Sequence, residues 1–185
     1  MKKMVMILSM LLIFSCSNVS SEVPWSLLLI ESTEANFKAT IGQLSDIDKC
    51  DADWYSKPEY SNQLFSLFNM VREGNEYAFE INMLITDCLD GGNLGDSFRS
   101  MGVFFDRKPS QFFRLIEGKE LSNSTWENVL VTLPLETVDD IPKKVDLLKR
   151  RLRMALDVKN NIDPDLSARV ASTLTSQIDF FESLE

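Results

Sequence analysis

The side chains in this chain with the greatest capacity for chemistry are carboxylates. Asp46, Asp48, Asp51 and Asp53 fall within one eight-residue stretch around Cys50, directly ahead of Trp54 and Tyr55. Alternating acids of this kind suggest a calcium loop, which needs oxygen ligands at alternate positions, a glycine at the sixth and a glutamate at the twelfth. Counted from Asp46, those two positions hold Asp51 and Lys57; counted from Asp48, they hold Asp53 and Glu59. The second frame closes on a glutamate but puts Cys50 at the third position, where an oxygen ligand belongs, and Tyr55 within the loop carries no carboxylate. No metal site or cofactor is therefore expected. The chain also contains no histidine, which removes the Ser-His-Asp triad, the Cys-His pair and any histidine-ligated zinc. Catalysis would have to run on carboxylates, Lys, Tyr, Ser or Cys alone. A carboxylate-based hydrolase needs two acids about 5–10 Å apart across a cleft, and no spacing here selects such a pair.

Gly95-Asp96-Ser97 resembles the nucleophile motif of GDSL-type hydrolases. In that family the motif follows a strand near the mature N-terminus and relies on a downstream histidine. Here it lies at a predicted helix start, so Asp96 and Ser97 are read as capping residues at the positive end of that helix. No catalytic residue is assigned.

The N-terminus carries a different signal. Lys2 and Lys3 precede an apolar run over residues 4–14 interrupted only by Ser9. A basic start, a short apolar core and a small residue ahead of a cleavage point are the parts of an export signal. The run is too short for a membrane helix, which needs about 20 apolar residues. Ile13-Phe14-Ser15-Cys16 resembles the lipobox of bacterial lipoproteins, with Phe14 bulkier than the usual occupant. The resemblance covers the first 16 residues. It implies cleavage before Cys16, acylation of that cysteine and a place in the cell envelope facing the periplasm. Ser17, where the family's inner-membrane retention signal has Asp, favours the outer membrane. The domain organisation expected is a signal peptide over residues 1–15, a lipidated cysteine and tether over 16–23, and one domain over 24–185.

Export bears on the other two cysteines. Cys50 and Cys88 form an even pair in an oxidising compartment and are expected to close a disulfide, the alternative being two separate buried thiols. If they pair, Asp87 and Asp90 join Asp46, Asp48, Asp51 and Asp53 around one staple, beside Trp54 and Tyr55. Concentrated negative charge with aromatic anchors can steer and grip a basic protein surface. The plainer alternative is a solvated acidic rim around a structural crosslink.

These groups must be positioned by helices. Phe37, Ile41 and Leu44 mark one helical face, with Ser32 or Thr33 as the cap; residues 25–30 are read as helix too. Ser56-Lys57-Pro58-Glu59 forms a capping box ahead of Leu64, Leu67, Phe68 and Val71, and Gly74 stops that helix. Asn75 caps the next, with Phe79, Met83 and Leu84 inward, and Gly91-Gly92 ends it. Asn93 starts a helix carrying Phe98, Met101 and Phe105; Pro109 opens one with Phe112, Phe113 and Ile116 that halts near Gly118. Ser122 or Ser124 begins another through Trp126, Val129 and Leu133, closed by Pro134. Ile141–Val158 is long and amphipathic, with Val145, Leu148, Leu152 and Leu156 in line. Asp163-Pro164 caps the last, which aligns Val170, Leu174, Ile178 and Phe181. Phe104 and Phe105, adjacent in sequence, predict that one of the two is partly exposed. The phenylalanine run over 98–113 is read as packing between hairpins in preference to a ligand groove.

With seven glycines and no long alternating run, the chain is expected to be all-α, with roughly seven to nine helices packed as consecutive hairpins. Junctions near Gly74, Lys108 and Asp140 recur about 33–34 residues apart, a period that suits a right-handed stack weakly resembling HEAT repeats, with an irregular bundle as the competitor. Without residues 1–15 the chain has 17 basic and 28 acidic side chains, or −11, which disfavours nucleic acid. Lys143, Lys144, Lys149, Arg150, Arg151 and Arg153 form the basic region, read as a solvated face or an inner partner for the acidic body. The function expected is a lipid-anchored periplasmic module that binds a protein partner, plausibly basic, without catalysis. A narrower version is an immunity or inhibitor lipoprotein; the rival is an envelope scaffold.

Overall fold

The computed structural model describes residues 23–46, 50, 59–117, 123–158 and 162–184. Nine α-helices and no strands occur among them. In chain order these are α1 (Ser26–Ile30), α2 (Glu34–Asp46), α3 (Tyr60–Arg72), α4 (Glu76–Ile85), α5 (Gly91–Arg107), α6 (Pro109–Ile116), α7 (Asn123–Val131), α8 (Ile141–Val158) and α9 (Pro164–Glu182). Short 3₁₀ turns follow α4 at Thr86–Cys88 and α7 at Leu135–Thr137.

The packing follows a simple rule. Substantial helix contacts join only nearest or next-nearest neighbours in sequence: α1 with α3, α3 with α5, α5 with α7 and α7 with α9; α2 with α4, α4 with α6 and α6 with α8. Odd-numbered helices thus stack in one layer and even-numbered helices in another. Contacts between α1 and α2, α3 and α4, α5 and α6, and α8 and α9 tie the layers together. The fold is a run of consecutive helical hairpins, and the core fills the space between layers.

Local chemistry sets the hairpin turns. Gly74 ends α3 with φ +91°, a conformation that costs other residues roughly 1–2 kcal/mol. The N–H groups of Gly74 and Asn75 bond the carbonyls of Val71 and Met70 at 2.9 and 3.0 Å, the paired bonds of a Schellman ending. The Asn75 side chain then accepts from the Ala78 N–H at 3.0 Å and starts α4. Lys108 alone separates α5 from α6, which opens on Pro109. Asp140 accepts from the Lys143 N–H at the head of α8, and Asp163 from the Leu166 N–H at the head of α9, both at 2.9 Å. At α2 the cap is Thr33, whose hydroxyl accepts from the Asn36 N–H at 3.2 Å.

The turns themselves stack. Asn75 donates its amide to the Ser32 hydroxyl, and the Lys108 ammonium donates to the Gly74 carbonyl at 2.8 Å, 34 residues away. The junctions near Gly74, Lys108 and Asp140 are all odd-to-even turns.

Several expectations need correction. Phe104 and Phe105 are both fully buried: α5 is covered by α3 and α7 on its flanks and by α4 and α6 from the other layer, so it has two inward sides. Phe104 packs on Phe79 of α4 with ring centroids 4.5 Å apart, and Phe105 lies edge-on to Phe112 and Phe113 of α6. Gly91 and Gly92 do not end α4; they open α5, and α4 stops at Ile85, where Thr86 turns the chain. Asp96 and Ser97 do not cap α5 but lie inside it, at its second turn. On α8 the inward stripe centres on Leu148, Arg151 and Ala155, while Leu156 is 42% exposed, about a quarter turn off that stripe at 100° per residue. Val23, expected in the tether, is buried with Trp25 and Leu28.

Candidate functional site

The disulfide joins Cys50 to Cys88, with Cα atoms 4.9 Å apart. Its setting follows from the even layer. Phe37, in the first turn of α2, stacks on Tyr77, in the first turn of α4, at 4.9 Å. Cys50 follows the end of α2, and Cys88 follows the end of α4. The two helices therefore run parallel, joined by aromatic stacking at their starts and by the crosslink beyond their ends.

The α4 side of the crosslink is firmly held. The Thr86 hydroxyl donates to the Asn82 carbonyl at 2.6 Å and lies 3.0 Å from the Ser97 hydroxyl, which donates to the Asn82 side-chain oxygen at 3.0 Å. The Asn82 amide reaches the Ser100 hydroxyl at 3.3 Å. These four side chains are buried, and their mutual bonds offset the cost of taking polar groups out of water. They lock α4 to α5 and hold the 3₁₀ turn carrying Cys88. Leu89, next along, is buried as well. Ser97, the serine of the hydrolase-like tripeptide, thus sits inside a saturated network between two helices.

Of the eight residues expected to form an acidic binding face, Asp87 and Asp90 are brought together with the crosslink, and both are exposed. Asp90 occupies the N-cap position of α5 without a side-chain cap bond, where the helix dipole favours its negative charge. No ion pair engages either carboxylate among the described residues. Asp48, Asp51, Asp53, Trp54 and Tyr55 lie outside the described residues, as does the Asp46 side chain, although its backbone closes α2. Cys16 and the lipobox also lie outside them. Among the described residues no group of three or more His, Cys, Asp or Glu side chains gathers to hold a metal ion, and no helix is long and apolar enough to cross a membrane.

The basic region divides in two. Arg151 is buried and makes a two-pronged bond to Asp106 of α5, with Nε and Nη2 each 2.9 Å from a carboxylate oxygen. Its Nη1 donates to the carbonyls of Leu130 at 2.6 Å and Thr132 at 3.1 Å, at the C-terminal end of α7. One guanidinium thereby ties α5, α7 and α8 together and satisfies carbonyls that the end of α7 leaves open. Gly102 makes room for it: a Cβ there would lie 2.8 Å from Arg151 Nη2. The remaining cations stay at the surface. Lys149 pairs with Glu182 at 2.6 Å, Arg150 lies 3.7 Å from Asp106, and Lys144 sits over the Phe181 ring at 4.9 Å.

Sequence reasoning named Arg151 only as one member of a basic cluster. Its position three residues after Leu148, on the inward stripe of α8, was the available signal. The phenylalanine run fills the core as expected: the void bounded by Phe79, Met83, Met101, Phe112 and Trp126 measures about 10 Å³, room for one water at most. Sequence reasoning also passed over Phe65, which is 55% exposed on α3 with the Arg72 guanidinium 5.8 Å above its ring.

Compared with known proteins, the chain matches no family model, no curated protein and no solved structure. Its function must be argued from its own residues.

Proposed function

We propose that this protein is a lipid-anchored envelope module that binds a basic protein partner through the acidic corner around the Cys50–Cys88 crosslink. The observation carrying this reading is the pairing of exposed Asp87 and Asp90, neither in an ion pair among the described residues, with a crosslink whose Cys88 side is firmly seated, in a chain of strongly negative charge. Carboxylates carried on a held backbone turn require little backbone ordering on binding, and a concentrated negative field accelerates encounter with a basic surface. Alternating helix layers support a hairpin solenoid of the HEAT kind, an architecture that presents extended faces to partners. The Cys16 motif supports a tether that would hold such a face at the envelope surface. An immunity or inhibitor role against a secreted toxin is the narrower form of this proposal.

The test is affinity capture with residues 17–185 from envelope and secreted fractions at low and moderate salt. It is run beside one variant with Asp87 and Asp90 changed to Asn and another with Asp46, Asp48, Asp51 and Asp53 changed to Asn. A basic partner lost with salt and with either substitution set supports the proposal. A partner indifferent to both places binding elsewhere on the stack, and a stable assembly of envelope proteins points to the scaffold role. Metabolic labelling with a radioactive fatty acid checks the anchor separately: the wild type should take label and Cys16→Ala should not.

A further inference from the structure

The first helix divides its apolar side chains between two faces. Trp25 and Leu28 are fully buried, with Val23 and Pro24 buried just ahead, so the start of the domain is held against the body. The opposite face carries Leu27, 41% exposed, and Ile30, 80% exposed, the highest value for a large apolar side chain among the described residues. Three positions apart, they stand about 60° from each other around the helix axis. Half-buried Ser26, four residues before Ile30, shares that face. Polar groups bound the patch: Glu31 closes the helix, and Glu34 beyond it pairs with Lys38 at 2.6 Å. Isolated exposed apolar side chains are ordinary, but here two occupy one turn beside the entry of the chain into the domain. Seven residues lead from Cys16 to Val23, and seven residues span at most about 25 Å when fully extended. With acyl chains on Cys16, buried Val23 stays within that distance of the bilayer, and α1 adds only about 7.5 Å.

We propose that the Leu27–Ile30 face of α1 rests on the lipid surface, so that the anchored domain meets the membrane by this edge. The inference rests on the anchor reading of Cys16 and is independent of what the acidic corner binds. A tether this short keeps the bilayer at high effective concentration, so two apolar side chains suffice where a free protein would need a larger patch. Charge contributes nothing: with 17 basic and 28 acidic side chains beyond residue 15, the chain is repelled by an anionic surface. The contact is therefore apolar and interfacial, with Leu27 and Ile30 at the boundary of headgroups and acyl chains. Glu31 and Glu34 at its border confine it to one turn of helix. At the other end of the stack, α9 stays in water.

The test uses the acylated protein, extracted from membranes and reconstituted in phosphatidylcholine vesicles. With Cys50 and Cys88 crosslinked and Cys16 acylated, Ser26→Cys or Thr175→Cys supplies the single free thiol and takes one fluorescent label. Nitroxide-bearing lipid should quench the label at position 26 and place it about 5–10 Å into the headgroup boundary. The label at position 175, on the exposed side of α9, should stay open to iodide and escape lipid quenching. Changing Leu27 and Ile30 together to Ser should abolish the lipid quenching at position 26, with folding checked by circular dichroism. Raising salt to about 1 M, where charges are screened within about 3 Å, should leave it unchanged. Lipid quenching at position 26 no stronger than at 175, or quenching that survives the double substitution, would overturn the proposal and leave the anchor standing. Shielding from iodide without lipid quenching would also overturn it and assign the face to a protein cover. A free thiol at Cys16 in the otherwise unchanged protein would remove the anchor reading and this proposal together.

Discussion

Replacing Arg151 with methionine tests the account of the interior most directly. Methionine keeps most of the side-chain length and apolar stem while removing the charge and all five N–H donors. The Asp106 side chain, 12% exposed, would lose both short bonds, and the Leu130 and Thr132 carbonyls would lose their donor. Removing one partner of a buried ion pair costs about 3–5 kcal/mol, because the other charge is left without compensation. Arg150 lies 3.7 Å from Asp106 and is half-exposed, so it can swing toward the vacant position and hold the loss near the lower end. For a domain of this size that corresponds to a fall of about 6–20 °C in Tm. Urea unfolding of Arg151→Met, Asp106→Asn and the double variant gives the loss and the coupling together. The double variant should cost less than the sum of the singles by about 0.5–3 kcal/mol. A single-variant loss below about 1 kcal/mol at unchanged m-value, or strict additivity, would refute the keystone role assigned to Arg151.

Two neighbouring predictions bear on glycines and surface charge. Gly102→Ala places a methyl group 2.8 Å from Arg151 Nη2 and 3.0 Å from the Val129 carbonyl; it should destabilise by about 1–3 kcal/mol as an overpacked site, and denaturant titration would show it. Gly74→Ala combines a left-handed backbone with a Cβ 3.0 Å from Lys108 Cε and should cost about 1–2 kcal/mol, read the same way. At the start of α2, the hydrogen bond from Lys38 and then its charge hold the Glu34 carboxyl below its ordinary range, and the hydrogen bond to Glu34 raises Lys38. The pair's contribution is therefore lost at both ends of the pH range, as pH falls through the lowered Glu34 value and as it rises through the raised Lys38 value. Both side chains are largely exposed, so Lys38→Gln should return the NMR titration of Glu34 toward the ordinary range without a measurable stability change. A Glu34 carboxyl that stays depressed in that variant would contradict the assignment.

How much was legible in advance depended on whether the relevant signal was local. Gly74, Asn75, Pro109, Asp163 and Pro164 mark helix ends through their own backbone geometry or hydrogen bonding, and each acts where its type says it should. The bounds of α8 and the inward set Val170, Leu174 and Ile178 of α9 likewise follow from a 3.6-residue period. Misreadings occurred where a third element intervenes. Glycine is permissive at either end of a helix, so Gly91 could close α4 or open α5, and the Thr86 network decided for the second. Phe104 was expected to compete with Phe105 for one inward face, but α5 has neighbours on more than one side. The candidate site divided in the same way: the cysteine pairing and the acidity of Asp87 and Asp90 followed from residue types, while the firm seat under Cys88 came from Asn82, Ser97 and Ser100, up to 18 residues apart in sequence.

Residue type and spacing by themselves determined the all-helical class, the main turns and the negative charge, because capping, periodicity and charge act within a few residues. Only the tertiary structure decided that the helices alternate between two layers and that Arg151 joins three of them. It alone decided that Ser97 belongs to an interior network. Each of those outcomes depends on which surfaces exclude water together, and that is settled when helices distant along the chain pack against one another.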